Sequence, residues 1–266
     1  MKKLIFFDID GTIVTENGAD RVIPESTRTA IRALQNNGHL CFINTGRAFS
    51  EIDEPIHSLG MDGFICGCGT YILYRGKELF AHTIPFELGN RILPDLEQCQ
   101  LEWLLEGSNS LYYSSRPYRT HIGDFQKEHR EVFSLSFDLV APEDAHDLVF
   151  DKFCLCTDEL SQFDKFYKKY QNELSFIDRG QGFYEVVPKG CSKASGIQFL
   201  TEYFQLPLQD TIAIGDSTND LPMLEFAGTS IAMGGSDPRV CEAASFVTDP
   251  ILEDGLYNAF ARLNLL

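Results

Sequence analysis

Two aspartates stand two residues apart where a short apolar run ends: Leu4-Ile5-Phe6-Phe7 leads directly into Asp8-Ile9-Asp10-Gly11-Thr12. On an extended backbone, residues two apart point the same way. Both carboxylates therefore aim at one place while Ile9 turns back into the core, and Gly11 lets the chain leave the strand sharply. A single aspartate here would be an ordinary cap or turn. Two carboxylates at the mouth of so apolar a strand repel each other and call for a cation. A second acidic cluster, Gly215-Asp216-Ser217-Thr218-Asn219-Asp220, follows the apolar run Thr211–Ile214. Asp8, Asp216 and Asp220 together offer the hard oxygen site that magnesium prefers, with waters completing the octahedron. A calcium loop is the rival reading, but the acidic residues and glycine do not follow its twelve-residue pattern. Asn219 or Asp220 as a helix cap is compatible with either role.

Two further clusters suit a phosphate. Thr45-Gly46-Arg47 follows Leu40–Asn44, and a hydroxyl with adjacent backbone N–H groups at a helix start makes an anion cradle; Thr-Gly is equally an ordinary strand-to-helix turn. Lys193 lies in Pro188-Lys189-Gly190-Cys191-Ser192-Lys193 at the start of an expected helix. There the helix dipole disfavours a cation unless an anion is near. A solvated lysine is the bland reading, and Lys189 is the obvious competitor.

These clusters need elements that present them together. The chain begins with alternating strand and helix signals: strand Leu4–Phe7, a helix over Pro24–Asn37 ended by Gly38, strands Leu40–Asn44 and Gly63–Cys66, and a hairpin of Tyr71–Tyr74 with Leu79–Thr83. It ends in the same grammar: helix Lys193–Phe204, strand Thr211–Ile214, helix Asn219–Phe226, strands Ser230–Met233 and Phe246–Thr248, and a helix near Asn258–Leu263. The expected fold is therefore α/β, a Rossmann-like core with a central parallel sheet and helices on both faces. In such a sheet, ligands bind at the carboxyl ends of the strands, and all four clusters are expected immediately after a core strand. The middle reads differently. Helices Phe86–Cys99 and Leu160–Tyr170 mix with strands Leu101–Glu106, Leu111–Tyr113, Phe150–Thr157, Leu174–Ile177 and Phe183–Val187, an antiparallel sheet with helices on one face. The organisation expected is a core from 1–80 and 188–266 with an inserted α+β cap domain at 81–187.

Bulk properties bound the partners. The 266 residues carry a formal charge of −17, and a surface this acidic lacks the basic stripe that nucleic acid or an anionic membrane requires. A metal ion and a few placed cations can still reverse the field inside a cleft and admit a small anion. The apolar run after Lys2-Lys3 is too short for a signal core, and no stretch approaches a membrane span; a cytoplasmic protein, monomeric or weakly homodimeric, is expected. The eight cysteines include two C-x-C pairs, Cys66/Cys68 and Cys154/Cys156, and no C-x-x-C. Buried free thiols are expected rather than a zinc or redox site.

In order and spacing, D-x-D-G-T at Asp8–Thr12, Thr45 after a strand, Lys193, and G-D-x-x-N-D at Gly215–Asp220 resemble the haloacid dehalogenase superfamily. Asp8 and Thr45 are only a helix and a strand apart, whereas the interval from Thr45 to Lys193 is far too long for one crossover. The extra domain thus falls between the second and third motifs, which resembles the Cof-type sugar phosphatases. The stretches Tyr184–Lys193 and Ile231–Gly235 look like that group too. Two segments depart from its pattern: Cys68-Gly69-Thr70 stands where Asn-Gly-Ala is usual, and Met233-Gly234-Gly235-Ser236 where Met-Gly-Asn-Ala is usual.

The resemblance implies a magnesium-dependent hydrolysis of a small phosphate monoester, such as a sugar phosphate, through an aspartyl-phosphate on Asp8. Asp10 would be the general acid and base. Mg2+ would be held by Asp8, Asp216 and the backbone carbonyl of Asp10, with Asp220 behind them, and Thr45, Gly46, Lys193 and Asn219 would hold the phosphoryl group. The inserted domain would contact the leaving group; Arg116, Arg119, Arg179 and Gln181 are its polar candidates, with surface solvation the favoured reading of each. The alternatives are a catalytically weak protein that binds a metabolite phosphate and a phosphoaspartate signalling protein. Asp10 speaks against the second, since a long-lived phosphoaspartate has no use for a neighbouring general acid.

Overall fold

A computed structural model describes residues 2–15 and 20–266. Its strands are β1 (Leu4–Phe7), β2 (Leu40–Asn44), β3 (Gly63–Cys66), β4 (Tyr71–Tyr74), β5 (Lys77–Ala81), β6 (Glu102–Glu106), β7 (Leu111–Ser114), β8 (Asp138–Val140), β9 (Lys152–Cys156), β10 (Leu174–Asp178), β11 (Phe183–Pro188), β12 (Thr211–Gly215), β13 (Thr229–Ala232) and β14 (Phe246–Val247). The chain divides into two compact units. One comprises Met1–Gly46, Glu54–Leu79 and Ser192–Leu266, the other Arg47–Asp53 and Phe80–Cys191.

The first unit is organised by an eight-stranded sheet in the order β14-β13-β12-β1-β2-β3-β4-β5. From β14 to β3 every pairing is parallel, and β4 then returns antiparallel to β3. The middle strands, LIFF, LCFIN and TIAIG, are buried along their whole length, as a sheet covered on both faces requires. Aromatic contacts show the two coverings. Phe6 stacks on Phe42 at 5.8 Å and Phe42 meets Phe204 of the helix Lys193–Phe204 at 6.1 Å. Phe7 points the other way, to Phe260 of the helix Gly255–Arg262 at 5.7 Å. The α/β core expected from the alternating pattern is therefore present. The strand order also reverses around β1, with β2 and β3 on one side and β12 and β13 on the other. That reversal opens a crevice at the carboxyl end of β1.

The second unit carries a six-stranded sheet, β10-β11-β9-β6-β7-β8, antiparallel except for the parallel pair β7·β8. Trp103, Leu105, Phe153, Leu155 and Val186 face the helices Phe86–Gln98 and Phe163–Tyr170 and form one core with them. The expectation of helices on one face only is corrected. Leu104, Cys154 and Cys156 point to the opposite face and pack on Ile122 of the helix Ile122–Glu131. That helix and the short β8 escape sequence reading because their apolar pattern is thin. Ile122 and Phe125 stand among eight mostly polar residues, and β8 is largely exposed.

On that second face lies a buried charged group. Lys152 Nζ donates to Glu106 Oε1 at 2.8 Å, and Cys154 Sγ donates to Glu106 Oε2 at 2.9 Å. Burial would favour the neutral amine, but Cys154, Glu106, Glu185 and Glu51 together hold the Lys152 ammonium well above its ordinary pKa. Breaking a buried pair from one side leaves the partner uncompensated, so Lys152→Met should lower unfolding free energy by about 3–5 kcal/mol. Urea unfolding followed by circular dichroism measures it; an unchanged midpoint would show the pair to be energetically neutral.

All eight cysteines are free thiols, seven of them buried. Cys154 and Cys156 share one face of β9 as the spacing predicts. Cys66 and Cys68 do not share a strand. Cys66 ends β3, and Cys68 lies in the following turn with φ 52°.

Candidate active site

Four elements of the first unit converge at the carboxyl end of β1. The amide of Asp8 donates to the Ile214 carbonyl at 3.0 Å, continuing the pairing of β1 with β12. The chain then turns at once, with the amides of Thr12, Ile13 and Val14 all donating to the Ile9 carbonyl and Ile9 fully buried. This is the turn Gly11 was expected to permit. Its φ is +77°, and a Cβ there would come within 2.4 Å of Asp216 Oδ2. Gly11→Ala should therefore both strain the backbone and push Asp216 off its position. We expect at least a hundredfold loss of activity, larger than any change in thermal midpoint; a near-normal rate would show that the turn has room.

β12 brings the second acidic pair. Asp220, fully buried, turns back so that Oδ2 accepts from the amides of Asp216 and Ser217 at 3.0 and 3.1 Å. Asp216 Oδ1 accepts from the Thr12 hydroxyl at 2.9 Å. Ligand oxygens of Asp8, Asp216 and Asp220 lie within 4.8 Å of one another. Between the strands comes the lysine. Lys193, 1% exposed, donates from Nζ to Asp8 Oδ1 at 2.6 Å and to Asp220 Oδ1 at 2.5 Å. Its competitor Lys189 is exposed in the second unit. One expectation is corrected here. β11, which precedes Lys193, belongs to the six-stranded sheet, so the lysine enters from the first turn of the helix Lys193–Phe204 rather than from the end of a core strand. Ser192 caps that helix, accepting from the Ser195 amide at 3.0 Å.

Three carboxylates against one ammonium leave the site short of positive charge. Burial, followed by the charge of Asp220, pushes the Asp8 carboxyl up to about 8 despite Lys193, and burial with Asp220 pushes Asp216 up to about 7. Lys193 responds oppositely. Burial would lower its pKa, but Asp220 and Asp8 raise it well above the usual lysine range. Asp10 is half-buried and near enough for its charge to act on Asp216. Thr45 and Gly46 follow β2, beside β1, with the Thr45 amide donating to Ile65 O at 2.9 Å and its carbonyl accepting from Cys68 at 3.0 Å. The Asn219 side chain accepts from the Ser217 hydroxyl at 2.5 Å, within the turn that carries Asp216 and Asp220.

The sequence pattern of the haloacid dehalogenase-like hydrolases matches residues 5–260. The chain belongs to that family. YkrA of Bacillus subtilis (strain 168), provisionally named a phosphatase, is 32% identical over 271 residues, which cover 99% of this chain and 98% of the relative. The 5-amino-6-(5-phospho-D-ribitylamino)uracil phosphatase YcsE of the same organism is 27% identical over 97% of this chain and 94% of its own. Among solved structures, the haloacid dehalogenase subclass IIB sugar phosphatase BT4131 superposes with a TM-score of 0.84 at 26% identity, covering 99% of this chain and 100% of that one. Among the described residues, no helix is long and apolar enough to cross a membrane.

Within this hydrolase, two side chains matter that the motifs alone did not single out. Thr12 was quoted only as the end of a motif, yet its hydroxyl steadies Asp216. Asn44 is fully buried at the end of β2 and donates from Nδ2 to the Lys193 carbonyl at 3.0 Å. Its signal in the sequence is a lone amide closing an otherwise apolar strand. Of the polar candidates of the second unit, the three arginines have carboxylate partners, while Arg116, Arg119 and Gln181 line one cavity. Arg116 meets Glu97 and Glu143 at 3.1 and 2.8 Å, Arg119 meets Asp158 at 2.6 Å, and Arg179 lies 3.9 Å from Glu185.

Proposed function

We propose that this hydrolase is a magnesium-dependent phosphatase that cleaves a small phosphate monoester, a sugar phosphate or similar metabolite, through a phosphorylated Asp8. The observation that carries the reading is the position of Lys193 Nζ between Asp8 and Asp220, beside the further carboxylate of Asp216. The acidic oxygens fit a hard divalent ion by their chemistry and by the upward push that burial and then the Asp220 charge exert on Asp8 and Asp216, which a bound cation would offset. Asp8, Asp216 and the Asp10 backbone carbonyl would hold the ion, while Asp220, committed to two backbone amides and Lys193, steadies the set from behind. When bound, the ion would supply positive charge against the phosphoryl oxygens.

The chain's own residues account for the steps. An Asp8 carboxylate oxygen bonds to phosphorus while the ester P–O bond breaks, and Asp10 gives its proton to the departing alkoxide. Asp10 then takes a proton from water as that water attacks phosphorus. The bond to Asp8 breaks and inorganic phosphate leaves. Lys193 offers its remaining N–H to a phosphoryl oxygen, with the Thr45 hydroxyl, the Gly46 amide and the Asn219 amide beside it. Family members named a sugar phosphatase and a 5-amino-6-(5-phospho-D-ribitylamino)uracil phosphatase support a small phosphorylated substrate. The test is magnesium-dependent phosphate release from a panel of sugar and cofactor phosphates. Release identifies the enzyme and ranks its substrates. Silence across the panel, with magnesium bound, would favour a protein that binds a metabolite phosphate without turning it over.

A further inference from the structure

Asn44 is a poor choice if only stability is at stake. It closes the strand Leu40-Cys41-Phe42-Ile43-Asn44, is 0% exposed, and its Oδ1 has no hydrogen-bond partner. A buried acceptor left without a donor costs about 1–3 kcal/mol, which cancels what the single Nδ2 bond contributes. An apolar side chain of similar volume would cost the strand less. The amide's one bond, however, goes to the residue that matters most. It reaches the main-chain carbonyl of Lys193 at 3.0 Å, buried, across 149 positions of sequence.

The surroundings explain why that carbonyl needs holding. The register of β1 with β2 sets Phe6 beside Phe42 and Phe7 beside Ile43, so the next pair along is Asp8 beside Asn44, on the face covered by the helix Lys193–Phe204. The helix lies tight on that face, because a Cβ on Gly196 would come within 2.5 Å of Ile65. Its start is fixed a second time at Gly69, where a Cβ would come within 2.3 Å of the Ser192 carbonyl. Between these points the Lys193 backbone is pinned by Asn44. A lysine stem has four rotatable bonds and much freedom to lose, and its ammonium must meet two carboxylates at 2.6 and 2.5 Å. Fixing the backbone beneath it reduces the search.

We propose that Asn44 is a positioning residue that docks the Lys193 turn onto β2 and thereby aims the Lys193 ammonium at the phosphoryl site; this rests on the phosphate-binding role given to Lys193 above. It acts through Lys193 and not on the metal ligands.

The test is calorimetric binding of inorganic phosphate in the presence of Mg2+, with Mg2+ binding and thermal midpoint measured beside it, for wild type, Asn44→Leu, Lys193→Met and the double variant. Asn44→Leu should weaken phosphate binding about tenfold, leave Mg2+ affinity unchanged and leave the thermal midpoint level or higher. In the Lys193→Met background it should cause no further loss, because both changes remove one interaction. Should leucine not be accommodated, Asn44→Ser, whose hydroxyl falls short of the carbonyl, takes its place with the same expectation. Equal weakening in both backgrounds, or a fall in Mg2+ affinity and midpoint in step with phosphate, would make Asn44 a structural residue and overturn the proposal. So would a wild type that binds no phosphate. A wild type that binds phosphate but releases none from any ester would instead overturn the phosphatase reading and leave Asn44 to be judged on binding alone.

Discussion

Asp8→Asn should release no measurable phosphate, a loss of at least about 10⁴-fold, while the protein folds and keeps its helix and sheet signals. The change replaces one carboxylate oxygen with nitrogen and leaves shape and volume almost untouched. It removes the carboxylate proposed to form the covalent bond, and an amide is far too weak a nucleophile to replace it. Stability should move the other way. Burial and the neighbouring Asp220 push the Asp8 carboxyl up to about 8, so near and above that pH the folded protein holds a charge that its surroundings resist. A neutral amide in the same place relieves the repulsion and can still accept from Lys193. The expected signature is therefore a dead enzyme with an unchanged or raised thermal midpoint at pH 8 to 9. Residual turnover of more than a few per cent would exclude Asp8 as the nucleophile. Loss of activity together with the fold would make the result uninformative about chemistry and would contradict the electrostatic account of the site.

The site was more legible than its supports. Asp8, Asp10, Asp216 and Asp220 stood out because nothing in folding asks for charged groups at the mouths of strands as apolar as LIFF and TIAIG, and Lys193 stood out as a cation at a helix start. Strand and helix alternation then implied a parallel sheet, and the carboxyl ends of its strands became the meeting place. What could not be read was direction of approach. Lys193 follows an expected strand in sequence, but β11 pairs with β9 and β10 in another sheet, and only long-range pairing reveals that. Asn44 was invisible for a related reason. One amide at a strand end carries no period, and its meaning lies entirely in a partner 149 positions away.

In the second unit the thin apolar stripe of Ile122–Glu131 hid a helix, and with it the second covered face of the sheet. The arginines there show a different limit. Arg116 and Arg119 read as polar candidates with solvation favoured, and tertiary packing brings carboxylates to each that the sequence does not reveal. Composition indicates that charges exist; it does not indicate which will neutralise each other.

Removing divalent metal should abolish activity, and the stabilisation that Mg2+ restores should grow with pH. The sign follows from two carboxyls. Asp8 titrates near 8 and Asp216 near 7 in the folded chain without metal, against about 3.9 when unfolded. Between pH 4 and 8 the folded state therefore binds more protons than the unfolded state, and its stability falls as pH rises through that window. A dication at the same oxygens displaces those protons. Binding at pH 6 must then release protons, with the apparent affinity climbing until both groups are ionised near pH 8. Two measurements check this: the rise in thermal midpoint on adding Mg2+ to chelator-treated protein at pH 5.5 and at pH 8.5, and the proton release measured by titrating in buffers of different ionisation enthalpy. The increment should be several degrees larger at the higher pH. An increment independent of pH would mean that the acidic cluster is already ionised and that the cation binds elsewhere. Activity that survives chelation would remove the metal from the reaction and leave Lys193 as the proposed counter-charge to the phosphoryl group.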